Sequence, residues 1–329
     1  MRTILVTGVG AIIGYGIIKS LRAALPDIRI VGTDIYHDAV GQTWCDHFRI
    51  AVPTDSENYE TFLRNLCQEF LVDLVIPGIE QDVSWLARNS ERLAGMASKF
   101  ALNDPALILL ANDKWHFQQF LQQRSLPHIP SYAGTTSSYS EVAAALGAKF
   151  LLKPRQSYAA KGIVQISNAD DFDYWLRKSQ APYFFQKIVG SDEEEYTVGT
   201  FGFGDGRCGQ KIIFQRRLSG EGATVKAVVR EIPELEKAID DIVQFTRAMG
   251  PTNFQFRLHN GQFLPLEINP RISSSTSLRH RFGFNEAAMT VDFYLNQIRP
   301  KEIVIQRGSA VRYIDEVIRY DSDSFRHSW

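Results

Sequence analysis

The chain has 329 residues, a length that predicts two to three domains, and its 44% hydrophobic and 22% charged residues are typical of a globular protein with a sizeable core. The formal net charge of −1 argues against nucleic acid or an anionic membrane as a partner, and no apolar run approaches the ~20 residues of a membrane span. The cysteines Cys45, Cys67 and Cys208 fit neither a metal spacing nor a disulfide framework, which favours a reducing, cytoplasmic location.

The N-terminal part of the chain alternates apolar runs with helical patterns. The apolar runs cover residues 3–7, 28–32 and 73–77, and amphipathic segments separate them. Strands that alternate with helices indicate a parallel, doubly wound sheet. The sequence therefore predicts an α/β domain over residues 1–105.

A glycine cluster follows the first predicted strand. Gly8, Gly10 and Gly14 have the spacing G-x-G-x-x-x-G, and Asp34 ends the second strand. This is a loose form of a dinucleotide-binding fingerprint, so an NAD(P)-dependent oxidoreductase is one alternative. The favoured interpretation is that the glycines permit a tight turn and close helix–sheet packing, while Asp34 caps or pairs locally.

The character of the chain changes after residue 105. Asn112 and Asp113 are N-cap candidates for a helix that runs to about Gln123, and prolines then break the pattern. Shorter strands with hairpin signals follow, which predicts an α+β body with antiparallel strands.

Residues 253–271 carry the strongest functional signal. They predict two strands joined at His259-Asn260-Gly261, and the second strand ends in Glu267-Ile-Asn-Pro-Arg271. Residues i and i+2 of a strand share a face, so Glu267 and Asn269 project together. A carboxylate and an amide beside an arginine suit a hard cation plus a phosphate, although a surface ion pair between Glu267 and Arg271 is the plainer alternative.

The loop of this hairpin decides whether Gln255 joins Glu267. A two-residue Asn260-Gly261 turn places Gln255 on the opposite face from Glu267, whereas a three-residue turn with a left-handed Gly261 places both on one face. For a metal site we therefore predict the three-residue turn.

Taken in order, the motifs of this chain resemble those of ATP-grasp enzymes, in particular the ATP-binding halves of carbamoyl phosphate synthase large chains and related carboxylate–amine ligases. The motifs are Asp113-Lys114, Lys153-Pro154, Glu195-Tyr-Thr-Val198 and Glu267-Ile-Asn-Pro-Arg271. The resemblance covers about residues 105–300. It implies a pre-ATP-grasp domain (1–105), a small subdomain with a linking helix (106–185), a C-terminal subdomain (186–300) and a C-terminal extension and tail (301–329).

The resemblance also implies a nucleotide site. Lysines 114 and 153 would hold the α- and β-phosphates, and the 186–189 hinge would bind adenine. A glutamate after the hinge would bind the ribose. The usual glycine-rich phosphate loop is reduced here to one glycine, Gly162, so basic side chains of that loop would supply positive charge instead. The implied ATP-binding residues are Lys114, Lys153, Arg155, Lys161, Gln186, Lys187, Ile188 and Glu195.

The metal and substrate positions follow from the same resemblance. One or two Mg²⁺ ions, with Mn²⁺ as an alternative, would bind to Gln255, Glu267 and Asn269, and Arg271 would be the catalytic arginine. Candidate substrate-binding residues are Glu80, Arg279 and Arg281. Arg216 and Arg217 precede a flexible-looking segment at 219–222 and are candidates for a lid.

The resemblance implies an ATP-dependent ligase that activates a small-molecule carboxylate as an acylphosphate and joins it to an amine or ammonia. Relatives are frequently dimers, so a homodimer is an expectation. The alternatives are phosphorylation of bicarbonate or carbamate, a non-catalytic nucleotide-binding module, and the NAD(P)-dependent oxidoreductase.

Overall fold

The computed structural model describes residues 1–133, 137–157, 161–179, 182–220 and 222–318, and every element below refers to these ranges. The middle of the expected phosphate loop (158–160), residue 221 of the expected lid segment and the tail from residue 319 lie outside the described residues. Within the described part of the chain, the helices are too short or too polar to cross a membrane.

The N-terminal domain is a five-stranded parallel sheet with the order β3-β2-β1-β4-β5. Its strands are β1 (Thr3–Thr7), β2 (Arg29–Asp34), β3 (His47–Ile50), β4 (Leu74–Ile76) and β5 (Lys99–Phe100), and its helices are α1 (Ile12–Ala24), α2 (Tyr59–Glu69), α3 (Glu80–Arg88) and α4 (Ser90–Leu93). Alternate residues of β1 pack into two separate cores, one on each face of the sheet. The prediction of a doubly wound parallel sheet is confirmed.

A small antiparallel sheet follows, with the order β6-β9-β7-β8. The elements here are α5 (Pro105–Ala111), α6 (Lys114–Gln123), β6 (Ser131–Tyr132), α7 (Tyr139–Leu146), β7 (Phe150–Pro154), β8 (Val164–Ile166), α8 (Ala169–Lys178) and β9 (Tyr183–Lys187). Phe150, Phe172 and Phe185 fill the core between this sheet and its two helices α7 and α8.

The C-terminal body is a six-stranded antiparallel sheet with the order β14-β13-β10-β11-β12-β15. Its elements are β10 (Glu195–Phe203), β11 (Ile212–Leu218), β12 (Thr224–Arg230), α9 (Pro233–Thr246), β13 (Met249–His259), β14 (Gln262–Asn269), α10 (Thr276–Arg279), α11 (Glu286–Asn296) and β15 (Ser309–Val311). Short 3₁₀ turns cover Val40–Trp44 and His280–Phe282. The two antiparallel sheets confirm the predicted α+β body.

Two elements pack differently from the domain ranges that the sequence suggests. Strand β15 lies within the expected extension, yet it pairs with β12 and completes the large sheet. The resemblance places helix α6 in the small subdomain. In the structure its Phe117 and Leu121 pack in the core under the large sheet, and Gln118 Nε2 donates to the Pro265 carbonyl at 2.9 Å. By packing, both elements belong to the six-stranded body.

The large sheet has one apolar face and one polar face. Val198 of β10 and Phe254 of β13 face α9, where Ile239 and Ile242 cover them. The alternate residues of the same strands, Glu195 among them, face the opposite side and line a cleft. Because strand side chains alternate between faces, burying the apolar set against α9 directs the polar set to the cleft.

The N-terminal glycines serve the local packing that the sequence favoured. Gly8 has a φ of +60°, and a Cβ on Gly14 would lie 2.1 Å from the Gly8 carbonyl oxygen, so α1 approaches the turn too closely for a side chain. Both carboxylate oxygens of Asp34 accept backbone N–H groups, from Gly10 (2.7 Å) and Tyr36 (3.0 Å). Asp34 therefore closes the turn.

Gly14→Ala is expected to destabilise the protein by about 2 kcal/mol, since overpacking against fixed backbone forces the helix away from the sheet. Thermal unfolding of the purified variant measures this as a lower Tm. Gly95→Ala is the matched control, because a Cβ there meets nothing within 4 Å. Equal melting temperatures for the two variants would contradict the close packing of α1.

Candidate active site

A cleft of about 1860 Å³ runs between the N-terminal domain and the two antiparallel sheets. It includes the carboxyl edge of the parallel sheet, where open α/β sheets bind ligands. Most of the predicted site residues line this cleft: Glu80, Lys114, Lys153, Gln186, Lys187, Ile188, Glu195, Gln255, Glu267, Asn269 and Arg271. Arg155, Lys161, Arg279 and Arg281 are not among its lining residues.

Strand register brings the polar residues of the large sheet together. Gln255 on β13 lies opposite Thr197 on β10 and Glu267 on β14, and Asn253 lies opposite Asn269. Cross-strand neighbours have Cβ atoms about 5 Å apart, close enough for direct hydrogen bonds. Gln255 Nε2 donates to Glu267 Oε1 at 2.5 Å, and Asn269 Nδ2 donates to the same oxygen at 3.0 Å.

The predicted three-residue turn in this hairpin is wrong. His259 pairs with Gln262, and the two residues between them, Asn260 (φ 51°) and Gly261 (φ 77°), both have positive φ, as a type I′ turn requires. Asn-Gly favours this turn because its twist matches the right-handed twist of the strands.

Gln255 and Glu267 nevertheless share a face, because a β-bulge within β14 shifts the register. Phe256 pairs with Pro265, whereas Gln255 pairs with Glu267, so Leu266 is the extra residue. A bulge suits a proline, which has no N–H to donate to the ladder. The register shift that was expected in the turn thus occurs at Leu266, three residues before the end of β14.

The Glu267 carboxylate is partly buried and lies among cations. Burial by itself raises the pKa of Glu267. The charges of Lys114, Lys153 and Arg271 and the hydrogen bond from Asn269 lower this pKa by more than burial raises it, so the pKa of Glu267 lies below its usual value. Glu267 is therefore ionised at neutral pH.

Lys153 is the opposite case, a buried cation. Its side chain donates from Nζ to Gln186 Oε1 at 2.8 Å and is 6% exposed. Burial lowers its pKa to about 8, although the Glu267 carboxylate opposes the shift. This ammonium would gain from an anionic partner in the cleft.

Arg271 and Glu80 form an ion pair across the domain boundary. Arg271 Nε donates to Glu80 Oε2 at 2.7 Å, and its Nη2 donates to Asn269 Oδ1 at 3.0 Å. Glu80 is the first residue of α3, so its carboxylate lies at the positive end of a helix. The predicted catalytic arginine and the predicted amine-binding carboxylate are therefore in direct contact.

Glu195 lines the cleft but is already bound by arginines. It is 4% exposed, its Oε1 accepts from Arg216 Nη2 at 2.9 Å, and its Oε2 accepts from Arg257 Nη2 at 3.2 Å. Glu193, by contrast, is exposed and pairs with Arg217. The ribose-binding role of Glu195 stays a prediction, because a ribose hydroxyl would have to share oxygens that the arginines occupy.

Arg216 is on the floor of the site, and its assignment to a lid is wrong. Its side chain is 3% exposed, and its Nη2 also donates to Gln255 Oε1 at 2.7 Å. The sequence carried a signal for this position: Ile212 and Phe214 of the same strand alternate with it and are buried on the same face. Arg217, the next residue, points to solvent.

Arg155 and Lys161 are not among the residues that line the cleft. Arg155 donates from Nε (2.9 Å) and Nη2 (2.6 Å) to Asp113 Oδ2, and so fixes the residue that caps α6. The main chain and hydroxyl of Ser157 instead accept hydrogen bonds from Lys114 Nζ. Lys161 is exposed and follows the residues that are not described, so its role stays a prediction.

Arg279 and Arg281 do not clamp a substrate from this position. Arg279 is fully buried, where it donates from Nη2 to Asn253 Oδ1 at 2.6 Å and from Nη1 to Glu286 Oε2 at 3.2 Å. Arg281 is exposed in the 3₁₀ turn that follows α10. The sequence placed both near the catalytic strand correctly, but the packing of α10 turns one inward and the other to solvent.

Comparison with known proteins identifies the architecture. Residues 4–100 match the model of the PylC-like N-terminal domain, and residues 192–317 match the model described as ATP-grasp in the biosynthetic pathway with Ter operon. A carbamoyl phosphate synthase large chain from Thermomicrobium roseum is 26% identical over 245 residues. The chain is therefore similar to ATP-grasp enzymes over residues 192–317. The resemblance that the motifs predicted is thereby confirmed.

Solved structures agree on the ATP-grasp fold. N5-carboxyaminoimidazole synthetase from Staphylococcus aureus, complexed with ADP, superposes with a TM-score of 0.74 at 17% identity, covering 92% of this chain and 80% of that one. An L-amino acid ligase from Bacillus licheniformis gives a TM-score of 0.68 at 14% identity, covering 90% of this chain and 74% of that one. The curated relative matches 67% of this chain, and the matched region spans only 22% of the relative.

The ATP-grasp cleft has a donor set that fits a cation delivered with phosphates. Among the described residues, no group of three or more His, Cys, Asp or Glu side chains is placed to hold a metal ion. Glu267 offers one carboxylate, and Gln255 and Asn269 add amide oxygens once these oxygens turn away from Arg216 and Arg271. Mg²⁺ is commonly held by one or two carboxylates and completed by substrate phosphates, so these residues fit that ion.

Arg279→Met is expected to destabilise the protein by about 3–5 kcal/mol, because it leaves the buried Glu286 carboxylate without its ionic partner. Thermal unfolding measures the loss, and the double variant with Glu286→Leu should recover most of it. Arg281→Met is the control with an unchanged Tm. A normally stable Arg279→Met protein would contradict the buried pairing and return Arg279 to the list of substrate-binding candidates.

Proposed function

We propose that this protein is an ATP-dependent ligase that activates a carboxylate as an acylphosphate and joins it to an amine or ammonia, with release of ADP and phosphate. The observation that carries the proposal is the convergence of cationic side chains on one ionised, partly buried carboxylate in a single cleft. The cations are Lys114, Lys153, Arg216 and Arg271, and the carboxylate is Glu267. An excess of positive charge around a hard oxygen ligand suits a polyphosphate with its metal ion.

The nucleotide half of the reaction uses the linking helix and the two antiparallel sheets. Lys114 and Lys153 hold the α- and β-phosphates, and the hinge at residues 186–189 receives the adenine. Ile188, a lining residue of the cleft, packs on the adenine ring. ADP in the complexed Staphylococcus aureus synthetase supports a nucleotide site in this fold.

Glu267, Asn269 and Gln255 would hold one or two Mg²⁺ ions, with Mn²⁺ as an alternative, and the metal would supply charge neutralisation for the phosphates. The protein side chains align the reacting groups. Arg271, already directed towards Asn269, faces the γ-phosphoryl group. Phosphoryl transfer depends mainly on positioning and charge stabilisation, which this arrangement supplies.

Two bond exchanges complete the reaction. A carboxylate oxygen of the first substrate attacks the γ-phosphorus, and the bond from that phosphorus to the β-phosphate oxygen breaks, giving ADP and an acylphosphate. The amine nitrogen then attacks the acyl carbon, phosphate leaves, and the nitrogen loses a proton. Glu80, held by Arg271, is the carboxylate that we assign to the incoming amine.

A second candidate is phosphorylation of bicarbonate or carbamate. The similarity to a carbamoyl phosphate synthase large chain favours it, and so does the glutamine at position 255, which is typical of that branch. ADP release with bicarbonate as the acid, without an organic carboxylate, would support this candidate over the first.

The cellular setting is part of the same proposal. We place the enzyme in the cytoplasm, which the free cysteines Cys45, Cys67 and Cys208 support. Its substrates are small molecules, and a homodimer is the proposed assembly. Analytical ultracentrifugation measures the assembly directly.

Glu267→Gln is the test of the site. Ligand at 100 times its Kd should add about 2.7 kcal/mol of stability to the wild type, so MgATP or MgADP should raise its Tm while NAD(P) should not. Glu267→Gln should lose metal-dependent stabilisation and ADP release in a screen of acid–amine pairs. The exposed Glu193→Gln is the matched control and should behave as wild type. Near-normal turnover by Glu267→Gln would refute the metal role, and stabilisation by NAD(P) alone would refute the function.

The pKa of Lys153 predicts a pH dependence of nucleotide binding. With a pKa of about 8, the side chain is charged below that pH and neutral above it, so ADP affinity should fall as pH rises through 8. Isothermal titration calorimetry from pH 7 to pH 9 should show this fall in the wild type. Lys153→Arg should flatten the profile, because arginine stays charged. An equally steep profile in Lys153→Arg would assign the titration to another group.

A further inference from the structure

Three amide side chains of the large sheet, on the floor of the cleft, each accept a hydrogen bond from an arginine. In every case the amide oxygen accepts the hydrogen bond, which turns the amide nitrogen elsewhere. The pairs are Gln255 with Arg216 (2.7 Å), Asn269 with Arg271 (3.0 Å) and Asn253 with Arg279 (2.6 Å). Arg279 is fully buried, whereas Arg216 and Arg271 line the cleft and can reach a ligand there.

The chemistry of its neighbours fixes the orientation of Gln255. A guanidinium only donates hydrogen bonds and an ionised carboxylate only accepts them, so the oxygen of Gln255 must face Arg216 and its nitrogen must face Glu267. In this orientation Gln255 presents N–H groups where a cation would bind. Gln255 can serve as a metal ligand only after its amide turns over, and that movement breaks the bond to Arg216.

Arg216 cannot lose that bond without a replacement. It is 4% exposed, and its Nη2 is shared between Gln255 and Glu195, while Nη1 donates to Thr224 Oγ1 at 3.1 Å. Its Nε has no hydrogen-bond partner in the described part of the protein. Leaving the donors of a buried guanidinium without acceptors costs free energy. When Gln255 turns away, Arg216 is therefore stabilised by another hydrogen-bond acceptor in the cleft.

We propose that Arg216 exchanges the Gln255 oxygen for an oxygen of the nucleotide γ-phosphoryl group when the metal–nucleotide complex binds. Gln255 then turns its oxygen towards the cation, so one rotation of an amide couples metal binding to phosphoryl binding. Arg216 and Arg271 thereby hold the γ-phosphoryl group together, each freed from a different amide beside Glu267. This inference rests on the proposed function, since it assigns a further residue to the same site.

The test compares two nucleotides that differ only in the group Arg216 contacts. Isothermal titration calorimetry in Mg²⁺ gives the Kd of ADP and of the non-hydrolysable analogue β,γ-imido-ATP for each variant. Arg216→Gln should weaken the analogue by about tenfold relative to ADP, the size expected for one charge-assisted hydrogen bond. Arg216→Lys keeps the charge and should lose less of the preference for the analogue over ADP. This variant provides the measurement if Arg216→Gln does not fold.

Two neighbouring arginines are matched controls. Arg217→Gln removes an exposed arginine on the opposite face of β11 and should leave both affinities unchanged. Arg257→Gln removes an equal charge that contacts Glu195 but not Gln255, so it should weaken both nucleotides by the same factor. If Arg257→Gln lost as much of the preference for the analogue over ADP as Arg216→Gln does, the loss would be explained by net charge alone and the proposal would be overturned.

Metal binding gives a second, independent readout. Electron paramagnetic resonance of Mn²⁺ in the presence of ADP measures the cation affinity. Arg216→Gln frees the Gln255 amide to turn, so it should bind Mn²⁺ several-fold more tightly than Arg257→Gln. Equal Mn²⁺ affinities in these two variants would overturn the coupling between Arg216 and Gln255.

The measurements distinguish a failure of the proposed function from a failure of the role assigned to Arg216. A wild-type protein that binds neither Mg²⁺–ADP nor Mg²⁺–β,γ-imido-ATP refutes the proposed function. A wild type that prefers the analogue, with an Arg216→Gln variant that keeps the same preference, refutes only the role of Arg216.

Discussion

The site depends on the hydrogen bonds and opposite charges that hold the partly buried Glu267 carboxylate. An anion taken out of water is costly unless hydrogen bonds and opposite charges compensate for it. Here Gln255 and Asn269 donate to one of its oxygens, and Lys114, Lys153 and Arg271 keep its pKa low. The cations outnumber the carboxylates around it, so the cleft is prepared for a ligand that brings both negative charge and a metal ion.

Three sheets supply this constellation, and none of them is sufficient alone. Glu80 comes from the N-terminal domain, Lys153 from the small antiparallel sheet and Glu267 from the large one. The ion pair between Glu80 and Arg271 joins the first of these to the last at 2.7 Å. This ion pair therefore contributes both to the contact between the domains and to the assembly of the active site.

The register of the large sheet is shifted by an irregularity within β14 rather than by the hairpin turn. The bulge at Leu266 brings Glu267 to the cleft face while the hairpin keeps its favoured Asn-Gly turn. Pro265, which cannot donate to the ladder, lies beside the bulge. Arg216 follows Ile212 and Phe214 on the same buried face of β11. The large sheet therefore supplies both the ionised Glu267 and a cation, Arg216, and Gln255 is hydrogen-bonded to both.

The sequence by itself determined the parallel N-terminal sheet, the order of the ATP-grasp motifs and the common face of Glu267 and Asn269, because hydrophobic periodicity and i, i+2 spacing are local properties of the chain. Only the tertiary structure decided the register that adds Gln255 to that face, the inward direction of Arg216 and the burial of Arg279. Those features depend on which strand pairs with which residue and on which helix covers each face. Such contacts join residues far apart in sequence, so their geometry is set by packing of the whole body rather than by any local pattern.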